Sequence, residues 1–369
     1  MKVLIGMSGG IDSSVAAFLL KQQGHEVVGV TMTVWGGRND LPQPKHSNSC
    51  YGPEREEDIQ EIRTICRKIG IEHHVLDLSS LYETVVLKNF KDEYLQGRTP
   101  NPCIWCNAKV KFGAMVEYAR QKGLEFDKFA TGHYARIVER DGRYAIARAL
   151  DIKKDQSYFL YRLSQQQLAH TVFPLGSMTK EEVRKIDVEQ GFHRAGHEES
   201  QDFYAGSYTD LLDVANQTGN IVDKTGAILG THQGIWNYTI GQRKGLGVSS
   251  EKPLYVLALR PSTNEVLVGY EEETRQTQVI ASQLHWSLYP TLDQGMELKV
   301  KIRSAGTPTL AVVHLEDDGT RLAASFNDEV KAAAVGQSLV VYDGDAIVCG
   351  GIIEWTALNN AHFFYPVER

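Results

Sequence analysis

What the chain lacks narrows its class before any motif is read. No stretch of its 369 residues approaches twenty consecutive apolar positions, so a membrane-spanning helix is not expected. The N-terminal MKVLIGMSGG has no charged-then-apolar segment with a cleavage site, which makes the cytoplasm the expected location. Cysteine is scarce and odd in number, five in all, so no disulfide framework is expected. In a reducing compartment, a close pair of cysteines points to catalysis or metal binding. There is no internal repeat and no low-complexity tail. Basic charge is not in excess either: the net charge is -7, which speaks against indiscriminate nucleic-acid binding. A local basic face can still act inside an acidic protein, so an RNA partner stays open.

What is present reads as a soluble globular protein of two or three domains, given 42% hydrophobic and 23% charged residues over this length. Lys2–Gly6 is a short apolar run ending in a Gly/Ser turn, followed by helical spacing over Ser13–Gln23 and a β-branched run over Glu26–Val34. That order, strand–turn–helix–strand, opens a parallel sheet in a nucleotide-binding α/β domain. A Gly-, Pro- and Asn-rich loop is expected over 36–53, then a helix bearing Ile59, Ile62, Ile65, Cys66 and Ile69. A strand over Glu72–Leu78, helices over Leu81–Gln96 and Lys109–Lys122, and a strand at Phe129–Gly132 complete this part. The texture changes near residue 205. Short strands broken by glycine fill 220–275, and alternating runs from Thr277 onward suggest a small β-barrel or sandwich.

Ser8-Gly9-Gly10-Ile11-Asp12-Ser13-Ser14 lies between the first strand and first helix. Glycines let backbone approach a phosphate, while hydroxyls and helix N-terminal amides supply donors for an anion. The segment lacks the Gly-Lys-Ser/Thr ending of a Walker loop. The plainer reading is a Gly/Ser turn with Asp12 or Ser13 as helix N-cap.

SGGxDS after an N-terminal strand resembles the PP-loop of ATP pyrophosphatases, with their adenine nucleotide alpha hydrolase-like α/β fold. Further segments resemble the bacterial tRNA-specific 2-thiouridylases, the MnmA family: GRTPNPCIWCNAKVKF (97–112), ATGHYARI (130–137), KDQSYFLY (154–161), ESQD (199–202), IGQRKGLG (240–247) and YDGDAIVCGGIIE (342–354). They stand in family order and span nearly the whole chain. The resemblance implies a catalytic PP-loop domain over 1–205, a small mixed central tRNA-binding or adaptor domain over 206–275, and a C-terminal β-barrel over 276–369. It implies transfer of AMP to the C2 oxygen of the wobble uridine of tRNA, release of pyrophosphate, and displacement of AMP by sulfur.

Residue by residue, the resemblance gives ATP contacts to Gly6, Met7, Ser8, Gly9, Gly10, Asp12, Ser13, Met32 and Gly132, with Asp12 catalytic through Mg²⁺ on the pyrophosphate. It gives tRNA contacts to Asn101, Pro102, Cys103, His133, Lys154, Asp155, Gln156 and Gln337. Arg243 and Lys244, in a Gly-flanked loop, suit phosphate contacts that position RNA without reading sequence. Without the family, His133 reads as a structural imidazole, Lys154–Gln156 as a solvated loop, and Arg243 and Lys244 as surface charges. Ser304-Ala305 stands where the family has a Tyr-Arg pair, so a barrel contact there is not expected.

The cysteines depart from the family pattern, which places one catalytic cysteine in NPDxxCN and a persulfide-bearing one in ESQDxCF. Cys106 holds the first position, but Tyr204 stands at the second, and a phenol cannot carry transferable sulfur. In compensation Cys103 replaces the family aspartate, giving a CxxC, and Cys50 lies in the loop after the second strand. Three arrangements follow, of which the first, an iron–sulfur cluster, is the expected one. Cys50, Cys103 and Cys106 can ligate a 4Fe–4S cluster whose open iron delivers sulfur. Cys103 and Cys106 can form a persulfide-and-resolving pair. Or Cys106 acts alone. Cys66 and Cys349 read as buried hydrophobes. The sulfur donor is a sulfide or a persulfide carrier. Rival functions are a PP-loop ligase adenylating a small molecule, which leaves the NPCxxCN segment unexplained, and a tRNA-binding protein without catalysis.

Overall fold

The computed structural model describes residues 1–37, 49–52, 56–194, 202–204 and 206–358. Two compact units share the chain. The first comprises Met1–Leu87, Pro102–Ser207 and Asp345–Ile347; the second comprises Lys88–Asn101, Tyr208–Gly344 and Val348–Arg369.

The first unit is built on a five-stranded sheet. Strand β1 (Lys2–Gly6) feeds helix α1 (Ile11–Gln22), strand β2 (Glu26–Thr33) follows, and β3 (Ser49–Tyr51), α2 (Glu56–Ile69) and β4 (Glu72–Asp77) come next. β1 pairs in parallel with β2 on one side, Ile5 opposite Gly29, and with β5 (Lys128–Ala130) on the other, Ile5 opposite Ala130. β4 extends the sheet beyond β2, and Thr171–Val172 extends it beyond β5. Strands buried on both faces need near-continuous aliphatic sequence, and Val3, Leu4 and Ile5 are all buried. α1 covers one face through Val15, Ala16, Ala17 and Leu20, joined by Ile62, Ile65 and Ile69 of α2 and by Val183. Strand order runs outward in opposite senses from β1 and β5, so the carboxyl ends of that pair flank a switch-point crevice, where open α/β sheets bind ligands.

Three expectations shift. The helix forecast from Lys109 starts instead at Pro102, whose missing N–H suits a first helical position. Its middle, Cys106–Ala114, is wound as π-helix before Met115–Gln121 returns to α. The Gln167 amide bonds to this segment, donating to the Ala108 and Phe112 carbonyls at 2.9 and 3.1 Å. Within the loop expected over 36–53 lies β3, paired in parallel with Asp202–Tyr204.

In the second unit, strands Ile228–His232, Gly219–Val222, Glu265–Gly269 and Tyr255–Arg260 form a sheet in that order around Ile221, Val256, Val266 and Val268. The strands from Arg275 onward resolve the choice between sandwich and barrel. Arg275–Trp286, Arg321–Lys331, Thr309–Glu316, Met296–Lys301, Ser338–Asp343 and Ala346–Leu358 are successive neighbours, and the last pairs back on the first, Val279 opposite Thr356. Closure leaves no unpaired edge in that ring. Val279, Val300, Val313, Leu322 and Val341 fill its interior.

Candidate active site

The Ser8–Ser14 loop turns from β1 into α1 at the switch point. Ser8 donates to the Ser13 hydroxyl through its amide and through its own hydroxyl, both at 3.2 Å. Ser13 and Ser14 hydroxyls donate to the Gly10 carbonyl at 3.0 and 3.1 Å. These bonds lock the turn from inside. Gly10, with extended backbone, is the N-cap of α1 and no side chain caps it, so neither Asp12 nor Ser13 does so. The uncapped helix start presents amide donors and the positive end of the helix dipole to an anion. Gly9 adopts φ +82°, a region that favours glycine.

Asp12 is held by residues from outside the loop. Its Oδ1 accepts from Lys180 Nζ at 2.7 Å and from Tyr134 Oη at 2.8 Å. Lys180 is buried and opens the helix Lys180–Gln190, whose start is fixed by a reciprocal cap between Thr179 and Glu182. Sequence reasoning missed Lys180 and Tyr134: neither lies in the loop, and only the fold brings them to it. From the same helix, Asp187 Oδ1 meets His193 Nδ1 at 2.6 Å, and His193 Nε2 meets the Gly9 carbonyl at 2.9 Å.

Gly132 lies against this loop so closely that an added Cβ would stand 2.7 Å from the Asp12 carbonyl carbon and 2.8 Å from Ser13 N. Met32 sits near the end of β2, opposite Leu76 of β4. His133 Nδ1 meets Thr131 Oγ1 at 2.8 Å, and its ring packs against Phe112 and Phe173. Burial, followed by the nearby Lys111 charge, pushes its pKa down to about 3, so the ring is neutral.

Cys103 and Cys106 lie three residues apart on the first turn of the Pro102 helix, hence on one face. Cys106 is buried, Cys103 half-buried and Cys50 exposed. The three share one electrostatic neighbourhood with Lys111 and Tyr82. Burial pushes the Cys106 thiol up to about 11; Lys111 opposes that shift and Cys50 adds to it. Burial acts to lower the Lys111 pKa, but the fields of Cys106, Cys50 and Cys103 outweigh it and raise the value. Tyr82 is held well above the usual phenol range, first by burial and then by the same cysteines. Among the described residues, no group of three or more His, Cys, Asp or Glu side chains is placed to hold a metal ion. Cys66 and Cys349 are buried hydrophobes as expected, the Cys66 thiol pushed up to about 11 by burial alone.

Three family models match consecutive parts of the chain: a tRNA methyl transferase HUP domain over 1–204, a tRNA methyl transferase PRC-barrel domain over 212–270, and an aminomethyltransferase beta-barrel domain over 276–353. The tRNA-specific 2-thiouridylase MnmA of Endomicrobium trichonymphae is 44% identical over 357 residues, covering 96% of this chain and 99% of that protein. The tRNA-specific 2-thiouridylase MnmA of Clostridium botulinum (strain Eklund 17B / Type B) is 42% identical over 360 residues, covering 96% and 98%. The chain belongs to the tRNA-specific 2-thiouridylase family. By that membership it is an enzyme, a sulfurtransferase.

Against the family pattern, the structure explains Tyr204 by packing. Tyr204 lies opposite Tyr51 in the short ladder of β3 with Asp202–Tyr204. Tyr51 stacks on Tyr82 at 5.5 Å and meets Trp35, Phe203 and Tyr204 at 4.9, 6.1 and 6.3 Å. The position expected to carry a thiol is therefore part of a buried aromatic cluster. Glu199, Ser200 and Gln201 of the same motif lie outside the described residues.

The other expected tRNA contacts divide into braces and exposed charges. Asp155 accepts from Ala149 N, Ser157 N and the Ser157 hydroxyl, and Gln156 Oε1 accepts from Tyr134 N at 2.9 Å. Both side chains hold the turn, while Lys154 is partly exposed. In the second unit, Gln337 Nε2 donates to the Thr99 and Pro100 carbonyls at 2.9 and 3.3 Å, bracing the segment that leads into Asn101. Arg243 and Lys244 are exposed on a loop held by Gln242, which donates to the Lys244 carbonyl and accepts from Thr239 N. Pro102 is buried and Asn101 partly so.

Proposed function

We propose that this enzyme carries out ATP-dependent 2-thiolation of the wobble uridine of tRNA, in the cytoplasm. The C2 oxygen attacks the α-phosphate of ATP, pyrophosphate leaves, and sulfur then displaces AMP at C2. One observation carries the reading: Lys111 interacts electrostatically with Cys50, Cys103, Cys106 and His133, and Gly132, next to His133, packs on the Asp12–Ser13 backbone. In this reading the thiols and the phosphate loop serve one crevice.

The uncapped start of α1 and the Ser8–Ser13 turn bind the phosphates, with Met32 at the adenine. Asp12, a partly exposed carboxylate beside the loop, fits a hard cation and would hold Mg²⁺, which neutralises charge on the departing pyrophosphate. Lys180 orients that carboxylate. Arg243, Lys244 and Lys154 contact tRNA phosphates. His133 and Pro102 meet the target nucleotide, with Asp155 and Gln156 shaping the surface beside them; in the second unit Asn101 and Gln337 are further tRNA contacts. The division into 1–205, 206–275 and 276–369 assigns the chemistry and part of the tRNA contact to the first part, tRNA binding or an adaptor role to the second, and a β-barrel to the third.

For the sulfur, Cys103 is the more accessible of the CxxC pair and carries the persulfide. Its terminal sulfur attacks C2 and AMP leaves. Cys106 then attacks Cys103 Sγ, its thiol proton passing to the departing 2-thiouridine, which is released and leaves a Cys103–Cys106 disulfide. A dithiol reductant restores the pair. A 4Fe–4S cluster on Cys50, Cys103 and Cys106 is the second reading, favoured by the convergence of three thiols on one lysine. As placed they do not form a metal-holding set, so no step is routed through a cluster.

Pyrophosphate release measured with and without unmodified tRNA tests the function, because release that needs a metabolite or never occurs overturns it. Anaerobic purification separates the sulfur routes. Iron-free protein with full thiolation supports the cysteine pair, and about four irons per chain, lost in Cys50→Ala, supports the cluster.

A further inference from the structure

The Gly9 carbonyl is held from outside the loop by a side chain no motif predicts. His193 Nε2 lies 2.9 Å from that carbonyl, Nδ1 lies 2.6 Å from Asp187 Oδ1, and the two side chains are 0% and 5% exposed. A carbonyl can only accept, so Nε2 carries the proton in its bond to Gly9. Asp187 fixes the ring's orientation from its other nitrogen, as a carboxylate behind an imidazole does in many sites. The Gly9–Gly10 peptide is planar and trans, so its C=O and the Gly10 N–H point in opposite directions. Drawing the carbonyl towards His193 therefore turns the Gly10 amide away from it. Gly9, at φ +82°, has the freedom to adopt this orientation and equally the freedom to lose it.

We propose that Asp187 and His193 are positioning residues of the phosphate loop: they fix the Gly9–Gly10 peptide so that the Gly10 amide, at the uncapped start of α1, is aimed at a nucleotide phosphate. This rests on the reading that the loop binds ATP. An amide that is free to flip contributes little to binding, whereas one held in place donates a charge-assisted bond to the anion without reorganising.

The test uses calorimetric titration of the full-length protein with Mg·ATP in the absence of tRNA, followed by pyrophosphate release with tRNA. His193→Leu is expected to weaken ATP binding by roughly 10- to 100-fold, the worth of a hydrogen bond to a charged group. KM for ATP rises in step, with kcat at saturating ATP changed only a few-fold. Asp187→Ala frees the ring and shows the same loss. Asp187→Asn restores most of the affinity, because its amide donates to Nδ1 and leaves Nε2 to donate to Gly9. That rescue separates positioning from bulk stability and decides the matter even where His193→Leu does not fold. Unchanged ATP affinity in folded His193→Leu, or equal losses in Asp187→Asn and Asp187→Ala, overturns the proposal. Wild-type protein that binds no ATP overturns the loop's assignment itself, which is a different result.

Discussion

Replacing Gly132 by alanine probes the contact that joins the strand end to the phosphate loop. The new methyl would stand 2.7, 2.8 and 2.9 Å from the Asp12 carbonyl carbon, Ser13 N and Asp12 carbonyl oxygen. Ordinary contact begins near 3.4 Å, and all three atoms are backbone, so no rotamer change relieves the clash. The first turn of α1 must retreat by about half an ångström, and overpacking of this kind costs about 1–3 kcal/mol. For a domain of this size that lowers Tm by roughly 2–4 °C per kcal/mol. The retreat carries Asp12 off Lys180 and misaligns the loop amides, so ATP affinity should fall as well. Gly10→Ala is the matched control. Its φ is -88°, and the nearest atom to its Cβ is the Ser8 hydroxyl at 3.7 Å, so the fold has room for it. That methyl nevertheless stands where a phosphate must approach the backbone. Differential scanning calorimetry and ATP titration together distinguish the two variants: Gly132→Ala loses both stability and ATP, Gly10→Ala loses ATP alone. A Gly132→Ala protein with wild-type Tm and wild-type ATP affinity refutes the packing argument.

Tyr204→Cys restores the family residue at its usual place but empties part of the aromatic cluster around Tyr51, so chemical denaturation should show a loss of about 2–4 kcal/mol. Thiolation should not exceed wild type, and a gain in rate would show that the thiol site has not moved. His133 and His73 are both held neutral, their pKa values pushed down to about 3 and about 4, burial being the largest cause in each. Between roughly pH 6.5 and those values the unfolded state takes up protons that the folded state refuses, so stability falls as pH drops through this window. Urea melts from pH 7 to pH 4.5 should show that slope, and His133→Gln should flatten it; an unchanged slope would mean the ring is not held neutral.

Much of the nucleotide half was readable because its signals are local. The aliphatic run of β1, the Gly/Ser turn and the spacing of Val15, Ala16 and Leu20 lie within twenty consecutive residues, and each reports on its own backbone. The partners of that loop were not readable. Lys180 and His193 reach Asp12 and Gly9 across more than 160 residues, and a single lysine in a helix start carries no mark of the carboxylate it will meet. The ladder between Ser49–Tyr51 and Asp202–Tyr204 was hidden for a related reason: three-residue strands show no period, and their pairing is settled by the Tyr51 cluster. The side chain that bonds to the π-wound turn at Cys106–Ala114, Gln167, likewise lies far along the chain. Tyr204 was legible as a departure from the family, but its reason, packing, was not.

The two halves of the reaction constrain this chain differently, and the difference follows from what each half needs. Phosphate binding relies on backbone amides, so it depends on peptide planes that only a fixed fold can set. Gly9, Gly10 and Gly132 cannot be traded against residues elsewhere. Sulfur chemistry needs a thiol within reach and a charge that favours thiolate, and a side chain can supply either from any element bordering the crevice. Lys111, one π-turn beyond Cys106, opposes the upward push of burial on that thiol, and it also interacts with Cys50 on another segment and Cys103 on the preceding turn. At position 204 this chain instead has an aromatic that packs on Tyr51 of β3.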